Sequence, residues 1–536
     1  MNKVLIVGSG ASGVHFALSV LKKGYEVTML DVGYKKPEAV NPDDTLNGLK
    51  EKLDDPVKYF LGENYEAVIY PDYGSEYYGF PPSKNYVFSK PPGFGLSLKG
   101  FSPVLSFARG GLAEAWTAGV CPFDDVDLAD FLFNYNEIEP YYNEVAKRIG
   151  VTGERDDLVK FFPFHENLSE PLNLDEHSKL LLSEYEKNKH YLNNKLRCYM
   201  GRSRIAVLKD DYEDRKGCSY CGRCLWGCPL RSLYTPSATL YQCQQYDNFK
   251  YVPDAYVSHF KYDSKNHITD VVAQSITGGI NHEFPIEKLV LAAGTLCSSE
   301  IYLNSVFKNT GEIIKLRGLM DNRQIFIPFV NLNMIGKQFN PENYQYHQLS
   351  MELERENPKE YIDIQLTTLK TAMIHPLIQS MFFDLKTSLS IFGNIHSALG
   401  LASVSFFDSR RTENYLTLET DDKTSRLRLG INYSSMCVED KEIKKVLKKI
   451  TKALRKLGCI APSAANHIRP MGANIHYAGT IPMSLERTQN TLSKDCQSHD
   501  FDNLYIVDGT SFPWLPAKNL TFTLMANAVR VSENAF

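Results

Sequence analysis

The stretch VLIVGSGASGVHFALSVLKKGYEVTMLD, residues 4–31, contains the clearest structural signal in the chain. It begins with an apolar strand, passes through a glycine-rich turn into a helix with apolar periodicity, and ends in a second strand. Gly8, Gly10 and Gly13 have the spacing of a dinucleotide-binding turn. Asp31 follows roughly twenty residues later, at the end of the second strand. The order of these features predicts a Rossmann-like βαβ unit.

Each residue type in this turn has a physical role. Gly8 permits a tight turn, Gly10 lets the backbone approach a pyrophosphate, and Gly13 allows the helix to pack closely on the strand. The amides and dipole at the start of the helix would hold the phosphates. Asp31 would accept hydrogen bonds from a ribose diol, and its acidity argues against a 2′-phosphate. The turn therefore predicts a dinucleotide site, but it does not distinguish NAD from FAD.

The far end of the chain contains another strand and helix. Residues 503–507 have the pattern of a strand, Asp508 and Gly509 follow it, and residues 519–529 have the pattern of a final helix. A cofactor longer than the first βαβ unit would require such a return of the chain. The C-terminal segment therefore favours FAD.

The composition makes polyanion binding a poor first hypothesis. The 536 residues include 59 lysines and arginines against 63 aspartates and glutamates, a net charge of -4, so no global field favours nucleic acid. The apolar strand at residues 4–7 lacks the features of a secretory signal, which makes the cytoplasm the expected location.

The most apolar stretch of the chain is residues 373–407. Charged residues interrupt it, so we do not expect a spanning helix there. A buried lid or sheet segment is the expectation, and a membrane-touching or substrate-entry surface is the alternative.

Four blocks of sequence carry a resemblance to a known family. They are GSGASG (residues 8–13), RGGLAEAW (109–116), AAGTLCSSEIYLNS (292–305), and the C-terminal pair HYAGTIPM (476–483) and NLYIVDGTSFPWLPAKNLTFTLMANA (503–528). In these ordered motifs the chain resembles the glucose-methanol-choline (GMC) family of flavoprotein oxidoreductases. The first block occurs in many nucleotide-binding proteins, whereas the last is quite specific. The middle of the chain matches only in general layout.

The resemblance implies an α/β fold in which a Rossmann-like FAD-binding domain is interleaved with an antiparallel-sheet substrate-binding domain. The FAD-binding domain is expected to be discontinuous, over residues 1–34, 98–124, 197–310 and 466–536, with a cysteine-rich insert at 215–245. Residues 35–97 are expected to form a lid or loop region. The substrate-binding domain is expected over residues 125–196 and 311–465.

The resemblance also implies where FAD would bind. Residues 109–116 should run along the flavin ring, residues 292–295 should lie near the adenine, and residues 508–509 should approach the ribityl phosphate. The expected cofactor-binding residues are Gly8, Gly10, Ser12, Gly13, Asp31, Arg109, Gly110, Gly111, Trp116, Val257, Ala293, Gly294, Asp508 and Gly509. Some relatives attach the flavin covalently through a histidine immediately before a tryptophan. Ala115 holds that position here, so noncovalent FAD is expected.

Family members place a histidine, and a second histidine or asparagine, beside the reactive flavin nitrogen. The matching residues are His476 and Asn519. A histidine can accept the hydroxyl proton of an alcohol near neutral pH, and an asparagine amide can hydrogen-bond the developing oxyanion. Without the family context, a core histidine and a helix-capping asparagine would be the simpler interpretations. His467 is expected to have a structural role.

A dense cysteine group lies in the middle of the chain. It comprises Cys218, Cys221, Cys224 and Cys228, followed by a proline, and has the C-x2-C-x2-C-x3-C-P spacing of bacterial ferredoxins. The spacing indicates an iron–sulfur cluster, of the 4Fe–4S or 3Fe–4S type, and several multi-subunit GMC dehydrogenases carry one in such a segment. A single cluster would need another ligand, for which Cys243 is a candidate, or only three thiolates. A structural zinc site, a metal-free thiol loop and relict cysteines are the alternatives.

The sequence thus predicts an FAD-dependent dehydrogenase that oxidises a hydroxyl group to a carbonyl. By resemblance, its substrate would be a sugar, aminosugar or cyclitol, and the cluster would pass electrons to an acceptor protein. One alternative is a sterol or long-chain alcohol dehydrogenase or oxidase, and another is a flavin-binding lyase without net redox change. A third is an electron-transfer subunit that depends on a partner for its substrate.

Overall fold

A computed structural model describes residues 2–65, 67, 81–163, 166–369, 378, 381–421, 427–434, 436, 438 and 440–536. Within these residues the α-helices are Ala11–Lys22, Leu46–Lys52, Pro56–Leu61, Asn85–Phe88, Tyr135–Ile149, Glu176–Tyr191, Pro236–Cys243, Thr295–Thr310, Leu385–Ile395, Asp440–Lys456 and Thr521–Ala535. The β-strands form one parallel sheet, one large antiparallel sheet and several smaller ones.

The parallel sheet has five strands. They lie in the order Leu504–Ile506, Lys288–Leu291, Lys3–Val7, Glu26–Leu30 and Phe249–Val252, and each neighbouring pair is parallel. Residues 4–7 are apolar and buried, as is typical of a parallel strand covered on both faces. The strands predicted at the two ends of the chain therefore belong to one sheet. The α/β fold class is confirmed.

Two helices from opposite ends of the chain pack together beside this sheet. Ala11–Lys22 follows the glycine turn, and nearly all of its residues are buried. The last helix, Thr521–Ala535, packs against it and against Tyr135–Ile149. The last helix begins two residues later than predicted, since residue 519 has no regular structure and Leu520 is the capping residue. The N- and C-terminal segments thus build one layered unit.

The large antiparallel sheet confirms the second part of the predicted fold class. Its strands lie in the order Cys459–Ile460, Gln324–Asn331, Leu399–Ser405, Ile362–Thr368, Leu349–Leu353 and Cys198–Arg202, and His467–Ile468 also pairs with Gln324–Asn331. Buried and half-buried residues alternate along Gln324–Asn331, because successive side chains of a strand point to opposite faces.

The remaining strands form smaller sheets. A three-stranded sheet contains Asn281–Pro285, Ile268–Ser275 and Ala255–Tyr262, and a four-stranded sheet contains Lys315–Arg317, Tyr415–Thr420, Leu427–Asn432 and Leu96–Lys99. Two-stranded pairs join Val151–Thr152 to Leu168–Ser169 and Asp408–Ser409 to Trp514–Leu515.

The predicted domain boundaries stay a prediction, but one strand does not follow them. Cys198–Arg202 pairs with Leu349–Leu353 in the antiparallel sheet, whereas residues 197–310 were assigned to the FAD-binding domain. The pairing partners lie about 150 residues apart in sequence, and strand pairing over such separations leaves no local pattern in the sequence. The segment assigned to the substrate-binding domain at residues 125–196 therefore continues at least to Arg202.

The apolar stretch at residues 373–407 lies partly outside the described residues, which omit 373–377 and 379–380. Its described remainder includes the helix Leu385–Ile395 and the strand Leu399–Ser405. None of the helices in the described part of the chain is long and apolar enough to cross a lipid bilayer.

The helix Leu385–Ile395 differs from the buried segment that the sequence predicted. Phe382 and Phe383, just before it, are exposed, whereas within the helix only Ser388 and Phe392 are buried. A helix that presents so narrow a stripe to the protein leaves its other apolar side chains at the surface. The expectation of a buried lid is therefore wrong for this part of the stretch.

Candidate active site

A cavity opens at the carboxyl ends of the parallel strands, where ligands of open α/β sheets bind. It extends from the ends of Lys3–Val7 and Glu26–Leu30, past the start of Thr295–Thr310, to His476. The predicted site residues on its wall are Gly8, Gly10, Ser12, Asp31, Gly111, Val257, Ala293, Gly294, His476, Asp508 and Gly509. The predicted residues absent from the wall of this described cavity are Gly13, Arg109, Gly110, Trp116 and Asn519.

The glycines of the first turn meet distinct steric demands. Gly8 has a φ of +101°, and a Cβ there would lie 2.6 Å from the carbonyl oxygen of Ala292. A Cβ on Gly13 would lie 2.1 Å from the carbonyl oxygen of Gly8, so this glycine allows the helix to approach the turn. At Gly10 only the Ala292 carbonyl oxygen comes within 4.0 Å of the position that a Cβ would occupy. Gly10 therefore leaves its side of the cavity open.

Asp31 is a half-buried carboxyl group at one end of the cavity. The hydroxyl groups of Ser9 and Tyr251 both donate to its Oδ2, the latter at 3.0 Å. Burial raises the pKa of Asp31 to about 6, although these hydrogen bonds oppose the shift. The carboxylate is therefore ionised at neutral pH and held in one position. A ribose diol in the cavity could donate to its free lone pairs.

The loop that contains Arg109 supports this end of the cavity from outside. The Arg109 guanidinium lies 5.3 Å from the ring centroid of Tyr251 and donates to Gln244 Oε1 at 2.7 Å. The Gly110 amide donates to Ser9 Oγ at 2.9 Å. The loop and the first glycine turn are thus joined by hydrogen bonds.

Trp116 ends this loop and is held away from the cavity. Its indole N–H donates to the carbonyl oxygen of Tyr234 at 2.7 Å, and the two rings meet edge to face. Trp116 therefore anchors the loop rather than lining the cavity.

Asp508 connects the C-terminal strand to the helix that begins at Thr295. Its Oδ2 accepts hydrogen bonds from the Gly294 amide at 2.9 Å and from Ser298 Oγ at 2.5 Å. Its Oδ1 accepts from the amide of Thr510 at 3.0 Å. The two predicted blocks at 292–305 and 503–528 therefore meet at this carboxylate, beside the cavity.

His476 lies at the other end of the cavity, and a buried amide fixes its ring. Its Nδ1 is 3.0 Å from Asn322 Oδ1. Asn322 Nδ2 donates to the carbonyl oxygens of Phe406 at 2.7 Å and Pro516 at 2.9 Å. These two bonds orient the amide so that its oxygen, an acceptor only, faces the imidazole.

This geometry assigns the tautomer of His476. The proton must lie on Nδ1 to donate to Asn322 Oδ1, which leaves Nε2 with a free lone pair. Asn474 Nδ2 is a weaker candidate partner, 3.2 Å from the same Nδ1. Burial lowers the pKa of His476 to about 4, so the imidazole is neutral at pH 7. The site therefore presents an unprotonated nitrogen that can accept a proton.

Asn519 adjoins the cavity through its neighbour Leu520, which is on the wall. The last helix begins at Thr521, with Leu520 in the capping position and no side-chain cap. Asn519 is therefore not the helix cap that a local interpretation would assign. Its Nδ2 lies 2.5 Å from the position that a Cβ of Gly119 would occupy.

Comparisons with known proteins agree with this geometry. A family model described as GMC oxidoreductase matches residues 410–528. The large subunit of fructose dehydrogenase from Gluconobacter japonicus is 21% identical over 281 residues, which are 50% of this chain and 48% of that subunit. The chain thus spans about half the length of this curated relative.

Two solved structures share the fold over their whole length. Pyridoxine 4-oxidase from Mesorbium loti has a TM-score of 0.62 at 12% identity, and the match covers 100% of this chain and 99% of that one. An FAD-dependent oxidoreductase from Chaetomium thermophilum has a TM-score of 0.58 at 13% identity, and the match covers 99% of this chain and 98% of that one.

Residues 410–528 thus match the GMC family of oxidoreductases, and the whole chain shares the fold of an FAD-dependent oxidoreductase. Members of the GMC family bind FAD, and the cavity of this chain fits that group. Gly10 leaves room for a pyrophosphate, and the carboxylate of Asp31 stands where a ribose would need an acceptor.

The sequence did not single out the polar pair on the cavity wall formed by Tyr256 and Glu300. The Tyr256 hydroxyl donates to Glu300 Oε2 at 3.4 Å, and burial raises the pKa of this carboxyl group to about 7. Glu300 falls within the GMC block at 292–305, which was a usable signal. Asn322 had no such signal in the sequence, because it is an isolated asparagine outside every block.

The cysteine group from Cys218 to Cys228 forms a loop of free thiols. Burial raises the pKa of Cys224 well above its usual value, and the charges of Cys228 and Cys218 raise it further, so these thiols lie near one another. However, no group of three or more potential ligands in the described residues is arranged to hold a metal ion. The described thiols are therefore not arranged around a common metal position.

Cys243, the further candidate ligand for a cluster, makes a different contact. It is buried at the end of the helix Pro236–Cys243, and its thiol donates to the carbonyl oxygen of Val14 at 3.7 Å. Cys243 thus packs against the first helix.

Proposed function

We propose that this chain is a GMC-type dehydrogenase that oxidises a CH–OH group to a carbonyl. The observation that carries the proposal is the neutral imidazole of His476, held through Nδ1 by Asn322 at the end of the cavity that begins at Asp31. Bound FAD, noncovalent because Ala115 offers no attachment point, would supply the hydride acceptor at N5.

The residues of the chain would do the acid–base work. Nε2 of His476 would accept the hydroxyl proton as the carbon–hydrogen bond breaks. The amide of Asn519 would donate to the substrate oxygen as negative charge develops on it. Asn322 would hold the imidazole in the tautomer that leaves Nε2 free, so the base would need no reorganisation.

For the substrate we propose a sugar, aminosugar or cyclitol. The name of the relative from Gluconobacter japonicus, a fructose dehydrogenase subunit, supports a sugar. Sterols and long-chain alcohols are the competing class, for which the exposed Phe382 and Phe383 would provide an apolar surface. A lyase without net redox change is the remaining alternative.

The test is an anaerobic absorbance spectrum of the FAD-loaded protein before and after addition of sugars, cyclitols and long-chain alcohols. Bleaching of the flavin bands by one class supports alcohol oxidation and identifies that class. Flavin bands that no alcohol bleaches would favour the lyase or an electron-transfer subunit. Protein that takes up no FAD would contradict the proposal as a whole.

We also propose that the loop of Cys218, Cys221, Cys224 and Cys228 takes up an iron–sulfur cluster, with a protein as the electron acceptor. The ferredoxin-like spacing supports this, but the thiols would have to draw closer together than they stand here. Stoichiometric iron and sulfide in anaerobically purified protein would support the cluster. They should be lost in Cys228→Ser and kept in the control Cys243→Ser; background levels in the unsubstituted protein would exclude it.

A further inference from the structure

The residue before His476 has an uncommon backbone conformation. Ile475 has a φ of +70°, in the left-handed region that β-branched residues rarely occupy. For an L-residue this conformation is disfavoured on the order of tenfold in population, so the surrounding structure must hold it. Ile475 and His476 both line the cavity that begins at Asp31. The strained residue therefore stands directly beside the candidate base.

Two neighbouring residues hold the two ends of the segment that contains Ile475. At its C-terminal end the backbone groups of Met320 and Ala478 pair through hydrogen bonds of 2.9 and 3.2 Å. At its N-terminal end Oδ2 of Asp321 accepts a hydrogen bond from the amide of Gly472 at 2.5 Å. Because both ends are fixed, a change of φ at Ile475 would displace one of them.

Asp321 is completely buried and is itself anchored. Its backbone amide donates to Oδ2 of Asp408 at 3.0 Å, and the hydroxyl of Tyr433 donates to the same oxygen at 2.6 Å. Burial raises the pKa of Asp321 well above its usual value, although the amides of Gly472 and His476 oppose the shift. Both amides therefore lie near this carboxyl group.

The carbonyl oxygen of Gly472 is held as well. It accepts a hydrogen bond from the hydroxyl of Tyr477 at 2.5 Å, and that hydroxyl accepts from the amide of Val104 at 2.8 Å. Gly472 has a φ of +95°, and a Cβ there would lie 2.8 Å from the carbonyl oxygen of Ser102. The turn before Ile475 is thus fixed through both polar groups of one glycine.

We propose that Asp321 is a positioning residue that keeps Ile475 in its left-handed conformation, and that this conformation directs the imidazole of His476 into the cavity. This inference rests on the proposed function, because it takes His476 as the base. Asn322, the next residue, then orients the ring. Loss of the Asp321 carboxyl group would let Ile475 relax to a negative φ and would turn His476 away from its working position.

The experiment is a double-mutant cycle between Asp321→Ala and Ile475→Gly, because glycine adopts a positive φ without steric cost. Anaerobic stopped-flow reduction of the FAD-loaded protein is measured with whichever of D-fructose, D-glucose, myo-inositol and 1-decanol reduces the wild type fastest. Asp321→Ala should lower the limiting rate on the order of ten- to a hundredfold. In the Ile475→Gly background the same change should lower it on the order of tenfold less, since glycine has no strain to relax.

The midpoint of urea unfolding provides a second readout, with the opposite sign. Relaxation of Ile475 removes strain and so limits the stability that Asp321→Ala loses. Glycine has no strain to remove, so Asp321→Ala should lower the midpoint further in the Ile475→Gly background than in the wild type. A residue that only stabilised the fold would show no coupling in either measurement.

Three other variants complete the cycle. Asp321→Asn keeps an oxygen that can accept from the amide of Gly472, so it should retain most of the rate. Tyr477→Phe releases the carbonyl oxygen of the same glycine and should show the same coupling at a smaller size, which keeps the test open if Asp321→Ala does not fold. Asp263 accepts two backbone amides in an exposed turn, and the control Asp263→Ala should reduce flavin as the wild type does.

Equal losses of rate in the two backgrounds would refute the inference. Coupling in the unfolding midpoint alone would mean that Asp321 holds the strain but does not position His476, which would also refute it. If no alcohol reduced the wild-type flavin, the proposed function would fail. The unfolding cycle would then still decide whether Asp321 holds Ile475 in its strained conformation.

Discussion

Replacement of Asn322 by leucine tests how the candidate base is held. Leucine has a similar shape to asparagine but neither donor nor acceptor. The change should therefore release the imidazole of His476 without opening a large cavity. Two consequences are expected, one for the free energy of unfolding and one for the rate of flavin reduction.

The magnitudes follow from the hydrogen bonds that Asn322 makes. Two buried carbonyl oxygens, of Phe406 and Pro516, lose their donor, and each such loss costs about 1–3 kcal/mol. The free energy of unfolding should fall by roughly 2–6 kcal/mol. His476 loses the acceptor that keeps its proton on Nδ1, and the rate of flavin reduction should fall on the order of ten- to a hundredfold.

The assays are urea unfolding and anaerobic stopped-flow reduction of the FAD-loaded protein. Asn474→Leu is the matched control, since its amide is 3.2 Å from the same nitrogen and should matter less. If Asn474→Leu abolished reduction while Asn322→Leu preserved it, the imidazole would carry its proton on Nε2. The assignment of His476 as a proton acceptor would then be wrong.

Three further predictions concern the same site. His476→Ala should retain FAD but lose on the order of a hundredfold or more in the rate of flavin reduction; near-normal reduction would rule out the histidine as the base. Because burial lowers the pKa of His476 to about 4, the base is neutral above that pH, so the rate should be flat near neutrality and fall as the pH drops through about 4. A fall centred near the ordinary histidine pKa would mean that the ring is not desolvated. Gly13→Ala places a Cβ 2.1 Å from the Gly8 carbonyl oxygen. This change should lower the free energy of unfolding by roughly 1–3 kcal/mol and weaken FAD binding. Gly393→Ala, where a Cβ meets open space, is the control, and equal behaviour of the two variants in thermal unfolding would contradict the steric argument.

The parallel sheet was predictable because its signals are local. The turn from Gly8 to Gly13 and the acidic residue after the next strand follow one another within a single βαβ unit, so their spacing records their geometry. The membership of Cys198–Arg202 in the antiparallel sheet was not predictable, since its partner strand is distant in sequence.

The candidate site was predictable only in part, for a related reason. His476 and Asn519 lie in blocks with recognisable neighbours. Asn322 contacts His476 across 154 residues of sequence. Isolated polar residues in a region without a motif give no sequence pattern, so their roles depend on tertiary contacts.

The structure also explains how Asn519 is held, although its side chain does not cap the last helix. Lys518, the preceding residue, is completely buried, and its Nζ lies 2.6 Å from Asp127 Oδ2. Burial alone would lower the pKa of Lys518, but the charge of Asp127 contributes to raising it to about 12. Because an unpaired buried charge is costly, breaking this pair should be strongly destabilising. His476 is thus fixed by the amide of Asn322, and Asn519 by the ion pair beside it. Because Asn322 also donates to the carbonyl oxygen of Pro516, two residues before Lys518, the two anchors share one segment and their substitutions should not be additive.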